Sequence, residues 1–186
     1  MTVYIALLRG INVAGKNIIK MNDLKKVFES VGLNEVQTYI QSGNVLFKSS
    51  DEKEMLLNKI EREIKNAFGF SVTVILRTSQ EFEQIVRNCP FSEKEIFEAE
   101  SSSKSESLYV AILGNVPLQE RIEKLDAYRN ETDGYKIIGQ EVFLLFYNSI
   151  RNSKLANNLH RLEVPVTVRN WNTINKLALL AKAKEF

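Results

Sequence analysis

Three polar clusters hold most of the side chains in this chain that could do chemistry. Arg9, Asn12, Lys16 and Asn17 follow an apolar run at the start, Gln41, Ser42 and Asn44 surround Gly43, and Arg169, Asn170 and Asn172 flank Trp171. Arginine offers a forked donor to carboxylate or phosphate, lysine offers a point charge, and Gly10, Gly15 and Gly43 would let backbone amides approach an anion. These types suggest recognition of a small anion or polar group. They are also common turn formers, whose side chains satisfy neighbouring backbone groups. In the third cluster, Asn172 or Thr173 as a helix N-cap with Trp171 as a staple competes with an arginine and tryptophan seat for an anion or planar ring.

Catalytic constellations are harder to find. Gly10 to Lys16 nearly matches the phosphate loop, a strand followed by G-x-x-x-x-G-K, but Asn17 stands where Ser or Thr should reach magnesium. The next helix also begins only near Asn22, and the implied sheet is not the parallel one that loop belongs to. His160 has no second histidine or paired nucleophile beside it, so it reads as a surface or boundary residue; pairing it with the lone Cys89 meets no motif criterion. Asp51, Glu52 and Glu54 fall in a helix first turn, where complementing the dipole accounts for them. No catalytic residue, metal ligand set or cofactor is identified.

Hydrophobic periodicity supplies the elements that must position these clusters. Thr2 to Leu8 is a continuous apolar run, too short for a core helix, and reads as a buried strand. Leu24, Val27, Phe28 and Val31 follow a helical spacing behind an Asn22 cap and before Gly32. Val36 to Ile40 and Val45 to Phe47 form a hairpin around Gly43. A helix then starts near Asp51 with Glu54 as a capping-box partner, carries Leu57, Ile60, Ile64 and Ala67 on one face, and ends at Gly69. Val72 to Leu76 is the next strand, and Thr78 with Glu81 opens a third helix. After Cys89 the composition turns to Ser, Glu and Lys, and Ser101 to Ser107 reads as a solvated connection.

The order then repeats. Leu108 to Leu113 is a strand, Pro117 to Leu125 a helix, and Lys136 to Ile138 with Val142 to Tyr147 a hairpin around Gly139. Leu155, Leu159 and Leu162 mark a helix, Val166 to Val168 a strand, and Ile174, Leu177, Ala178 and Ala181 a closing helix. Tyr4-Ile5-Ala6-Leu7 echoes Tyr109-Val110-Ala111-Ile112, and Val72-Thr73-Val74 echoes Val166-Thr167-Val168. The expected fold is α+β, a tandem duplication of a ferredoxin-like βαββαβ unit, each copy followed by an extra helix. Residues 1–100 form the first repeat, 101–107 the connection and 108–186 the second. Several strands are apolar on both faces, so both faces should be covered and the repeats should pack as one compact body.

Composition sets the class. The 25 basic and 23 acidic residues leave a net charge of +2, so the chain has no global preference for polyanions. One cysteine cannot form an internal disulfide, which points to a reducing cytoplasm. Met1 to Arg9 lacks a basic leader and reads as a strand and not a signal peptide, and no run approaches the ~20 apolar residues of a membrane span.

Five ordered motifs carry a resemblance: Ala6-Leu7-Leu8-Arg9-Gly10-Ile11-Asn12-Val13, Lys20-Met21-x-x-Leu24, Tyr39-Ile40-Gln41-Ser42-Gly43-Asn44-Val45, Asn88-x-Pro90-Phe91 and Arg169-Asn170-Trp171-Asn172-Thr173. Over nearly its whole length the chain resembles the bacterial family of domain of unknown function 1697. The resemblance implies an α+β chain with two similar halves and no established substrate, cofactor or catalytic residue. Ala14 stands where a second glycine of the motif is expected. Three functions therefore compete: a pocket, with or without chemistry, for a small anionic or phosphorylated molecule; a nucleic-acid module presenting a sheet to single strands; and an interaction or assembly protein marked by an exposed apolar patch.

Overall fold

The computed structural model describes residues 1–103 and 105–186; position 104, inside the expected connection 101–107, lies outside the described residues. Two four-stranded antiparallel sheets with flanking helices make an α+β fold. The first half contains β1 (Thr2–Leu8), α1 (Met21–Ser30), β2 (Asn34–Tyr39), β3 (Asn44–Ser49), α2 (Lys53–Phe68), β4 (Val74–Thr78), α3 (Ser79–Arg87) and α4 (Glu93–Ser102). The second contains β5 (Leu108–Leu113), α5 (Gln119–Asp126), β6 (Asp133–Ile138), β7 (Glu141–Phe146), the short α6 (Lys154–Asn157), β8 (Val166–Asn170) and α7 (Trp171–Ala183). Contacts group 1–83 with 176–186 as one unit and 84–175 as the other. The division at 101–107 follows the sequence repeat, whereas this one follows packing.

Strand order is β2-β3-β1-β4 in the first sheet and β6-β7-β5-β8 in the second. Both β1 and β2 pair antiparallel with β3 between them, so they run in the same direction. This brings the carboxyl end of β1 beside the turn that follows β2. The registers of β1 and β5 with their neighbours also agree between sheets, whereas β2 pairs with β3 through a shift between Asn34 and Gln37 that β6 and β7 lack. Tyr4 faces Thr78 and Phe47, while Tyr109 faces Asn170 and Leu144. Leu8 N–H donates to Gly43 O at 2.8 Å as Leu113 N–H donates to Gln140 O at 2.8 Å, and Arg9 N–H donates to Thr73 O as Gly114 N–H donates to Pro165 O. In this register Val74 corresponds to Val166, so the echo of Val72-Thr73-Val74 is displaced by two residues.

In the first unit, Tyr4, Ala6 and Leu8 join Phe28, Phe47, Ile60 and Ile64 in a core closed by α1 and α2. Tyr4 stacks on Phe47 with ring centroids 5.7 Å apart. The other face of β1, through Val3, Ile5 and Leu7, is buried too, as its doubly apolar sequence requires. In the second unit, Ala111, Leu113, Leu144 and Phe146 pack with Leu125, Leu155, Leu159 and Leu162.

Helix starts depart most from the sequence reading. The N-cap of α1 is Lys20, not Asn22, and that of α2 is Glu52, with no side-chain cap at either. Asp51 instead donates its N–H to Ser49 Oγ, so the expected capping box with Glu54 does not form. On α2 the buried stripe begins at Leu56 and leaves Leu57 half-buried. The single helix expected through Leu155 and Leu162 is instead α6 between two 3-10 turns, Ile150–Asn152 and Leu159–Leu162. All three leucines are nonetheless buried. Ser101 and Ser102 end α4, and Ser107 is buried, so those parts of the expected connection are not solvated coil.

Thr78 and Glu81 do form a reciprocal cap: Glu81 N–H donates to Thr78 Oγ1 at 3.1 Å and Thr78 N–H donates to a Glu81 carboxylate oxygen at 2.7 Å. Burial pushes the Glu81 carboxyl up, but the Thr78 amide and Lys53 at 3.1 Å outweigh it and hold the carboxyl below its ordinary 4.5. A depressed folded-state value means that this stabilisation is present above pH 4.5 and is lost as pH falls through the lower value. Glu81→Gln, which keeps a capping oxygen but not the charge, should flatten the acid limb of a plot of urea midpoint against pH. An acid limb identical to that of the parent chain would show that the charge at Glu81 plays no part.

Candidate functional site

The end of β1 and the β2–β3 turn meet as strand direction requires. Leu7 pairs with Asn44, Leu8 donates to Gly43 O, and the segment from Arg9 onward leaves the sheet beside residues 40–43. Ile11 and Ile19 are buried and pin both ends of this loop to the core. Between them the chain makes a miniature hairpin in which Val13 and Lys16 form a bridge and Lys16 N–H donates to Val13 O at 2.9 Å. Its central residues, Ala14 at φ 50° and Gly15 at φ 73°, carry the two positive φ values of a type I′ turn. That geometry is why glycine is expected at position 14. Alanine in this region costs roughly 1–2 kcal/mol.

The asparagines of the cluster are occupied by this construction. Asn12 Nδ2 donates to Ile19 O and to Gln41 O, both at 2.9 Å, and its Oδ1 accepts from Ile19 N–H at 2.8 Å. One side chain therefore ties the loop to itself and to the neighbouring turn. Asn17 Nδ2 donates to Gly10 O at 3.2 Å, and its carbonyl accepts from Asn12 N–H. The buried Asn44 donates to Tyr39 O and to Ser42 Oγ, closing the β2–β3 turn. Both Asn12 and Asn17 have positive φ, which asparagine tolerates better than most residues. The turn-forming role assigned to these residues by type is thus what their side chains do.

Arg9, Lys16 and Gln41 remain, and all three are exposed. No acidic residue occurs between Arg9 and Asn22, so the segment itself carries only positive charge, through Arg9, Lys16 and Lys20, while Glu61 reaches the same end of the sheet by accepting from Val74 N–H at 2.9 Å. The loop does not have the geometry of a phosphate loop: Lys16 closes a hairpin, and α1 starts only at Met21.

The third cluster lies in the second unit. Arg169 is buried on β8, donates to Thr167 Oγ1 at 2.7 Å and to Val168 O at 3.0 Å, and burial pushes its guanidinium down to about 10. The cap of α7 is Asn170, whose Oδ1 accepts from Thr173 N–H at 2.8 Å, and neither Asn172 nor Thr173 serves as that cap. Asn172 donates to Glu106 at 3.3 Å, and Trp171 packs beside Ala99, Leu108 and Leu145. Arg77 and Thr78 at the end of β4 are the counterparts of Arg169 and Asn170 in the shared register. Sequence reading missed Arg77. Its signal was the match of Leu76-Arg77-Thr78 to Val168-Arg169-Asn170.

A cleft of about 680 Å³ in the first unit, lined by Thr2, Glu35, Lys48, Thr78 and Gln80 among others, holds none of the residues expected from sequence. Its Lys48 is paired with Glu35 at 2.8 Å. Catalytic groups are no closer to assembly. The thiol of Cys89 is pushed up by burial and donates to Phe91 O, while the His160 ring Nδ1 lies 3.1 Å from Asn157 O. Among the described residues no cluster of His, Cys, Asp and Glu could hold a metal ion, and no helix is long and apolar enough to cross a membrane. Strands β1, β3, β5 and β7 are buried on both faces, leaving no open central platform for stacked bases.

A family model described as protein of unknown function (DUF1697) matches residues 1–143. No curated protein matches. Among solved structures the chain is similar to the conserved bacterial protein SP0830 from Streptococcus pneumoniae, at 26% identity and a TM-score of 0.76, over 98% of this chain and 99% of that one.

Proposed function

The chain belongs to the DUF1697 family of proteins of unknown function, and we propose that it is a duplicated ferredoxin-like protein whose first copy binds a small anionic molecule at the loop after β1. Equal strand order, equal registers of β1 and β5 with their neighbours, and the paired hydrogen bonds at Leu8 and Leu113 support the duplication. The observation that carries the anion reading is the loop itself. Asn12 and Asn17 fix the backbone, which leaves the exposed Arg9 and Lys16 as cations on a preorganised support without a neighbouring acid in the segment. Arg9 would supply the forked donor and Lys16 the point charge, with Gln41 as a neutral partner from the adjoining turn. Arg169, Asn170 and Asn172 are engaged within the second unit and are not assigned to this site. The lone Cys89 fits a reducing, cytoplasmic setting.

A thermal-shift screen with inorganic phosphate, nucleotides and sugar phosphates tests the reading. A ligand at about 100 times its Kd adds roughly 2.7 kcal/mol to stability. Arg9→Ala and Lys16→Ala should each abolish the rise in melting temperature while leaving the ligand-free value unchanged, because both side chains are exposed. A rise that survives both substitutions would place the anion elsewhere.

A further inference from the structure

We propose that this protein self-associates head to tail, with the loop after β1 of one copy docking on the outward face of α4 of the next. The loop end is not only basic. Val13, Ile18 and, on the adjoining turn, Ile40 are 61%, 62% and 48% exposed, although each is a large aliphatic residue. Asn12 binds the Ile19 and Gln41 carbonyls together, so these residues share one end of the first unit. Aliphatic side chains set among Arg9, Lys16 and Lys20 call for a partner that is both apolar and acidic.

The chain carries such a surface itself. Helix α4 packs inward through Ile96 and Ala99, beside Leu108 and Leu145, and turns Phe97 outward at 70% exposure. Its ten residues hold Glu93, Glu95, Glu98 and Glu100 against a single Lys94. Glu93 and Glu100 stand four before and three after Phe97, so they border it on the same helix face. Phe97 is the aromatic anchor that the loop's aliphatic tip lacks, and the two surfaces are opposite in charge. Because they are different patches, the contact is heterologous and propagates unless it closes into a ring. One loop against one helix falls at the small end of interfaces, below about 1,200 Å², so the association is weak and concentration-dependent. This inference shares Arg9 and Lys16 with the anion reading but rests on the exposed Val13, Ile18 and Ile40 and on α4, which take no part in that site.

Sedimentation velocity on the full chain tests it. The average mass should rise with concentration at low salt and return to monomer at ~1 M, where the Debye length shrinks to about 3 Å from about 30 Å at 0.01 M. A loop variant, Lys16→Glu with Ile18→Ser, and a helix variant, Glu93→Lys with Phe97→Ser, should each weaken self-association at least about tenfold, which corresponds to the loss of about 1.4 kcal/mol. Equal amounts of the two should form a one-to-one heterodimer, because each retains the surface the other has lost. The helix variant should keep any anion-dependent thermal shift, which separates failure of this inference from failure of the proposed site. A chain that is monomeric at every concentration, or two variants that do not recombine, would overturn the proposal. So would a monomeric chain that pellets with phosphatidylserine vesicles and loses this property in the loop variant, since the loop would then serve a lipid surface.

Discussion

Gly43→Ala should destabilise the first unit by about 2–5 kcal/mol, far more than the same change at Gly15 in the neighbouring loop. Two costs combine at Gly43. Its φ of +81° is one that L side chains rarely adopt, and an added Cβ would lie 2.8 Å from both Leu8 Cβ and Ile11 Cδ1. Neither neighbour can yield easily, because Leu8 is held by its N–H bond to Gly43 O and Ile11 is buried in the core. At Gly15, φ is +73° but nothing lies within 4 Å, so only the backbone cost of roughly 1–2 kcal/mol applies. Urea unfolding of both variants, with equal m-values, reads the difference directly. Equal losses at the two positions would show that the close approach of the β2–β3 turn to the end of β1 is not what requires glycine at 43. Against a typical total stability of about 5–15 kcal/mol, the larger loss would leave much of the chain unfolded under mild denaturant.

The two glycines also show what could be read from residue types and what could not. That Gly43 sits in a hairpin turn followed from the polar cluster between two apolar runs, because turn chemistry is local. That it must also admit Leu8 and Ile11 depended on β1 lying beside β3, a long-range pairing that no local pattern states. The same distinction separates the other outcomes. Strands β1 and β5 were legible to the residue, since continuous apolar runs bounded by polar residues have few alternative homes. Asn22 and Asp51 looked like caps, but capping needs a particular backbone approach, and the chain enters those helices through Lys20 and Glu52 instead. By residue type alone Asn170 is one member of a polar cluster. Its role emerged because β8 runs directly into α7 and leaves it the last residue before the helix. In the segment 150–162 the leucine spacing located the buried face, while the interruption of the helix lay beyond periodicity. Of the candidate site, the convergence of the loop after β1 with the 40–43 turn was legible from strand direction. The consumption of its asparagines by backbone groups was not, since amide side chains look alike whether they face a ligand or a carbonyl.

Asn12 is where the structural and ligand-binding roles can be told apart. Asn12→Ala removes three hydrogen bonds, two donated to the Ile19 and Gln41 carbonyls and one accepted from the Ile19 amide, and places alanine at φ 54°. At about 0.5–1.5 kcal/mol net for each bond and about 1–2 kcal/mol for alanine in that backbone region, the expected loss is about 3–6 kcal/mol. Asn17→Ala removes one exposed side-chain bond and also places alanine at a positive φ, 49°, so it should cost about 2–3 kcal/mol, less than Asn12→Ala. Asn12→Gly relieves the backbone strain but not the lost bonds and should recover only part of the loss. Chemical denaturation of the three variants orders them, and the same proteins can be titrated with whichever anion the thermal screen identifies. If Asn12 were a ligand group, its removal would leave stability near that of the parent and reduce affinity alone. The geometry predicts the reverse order of causes: stability falls first, and affinity follows because Arg9 and Lys16 lose the rigid loop that presents them. Arg9→Ala should give the complementary pattern, affinity lost with stability intact. Together the two substitutions test whether this loop is a scaffold carrying two cations, and an Asn12→Ala chain as stable as the parent would remove the scaffold from that account.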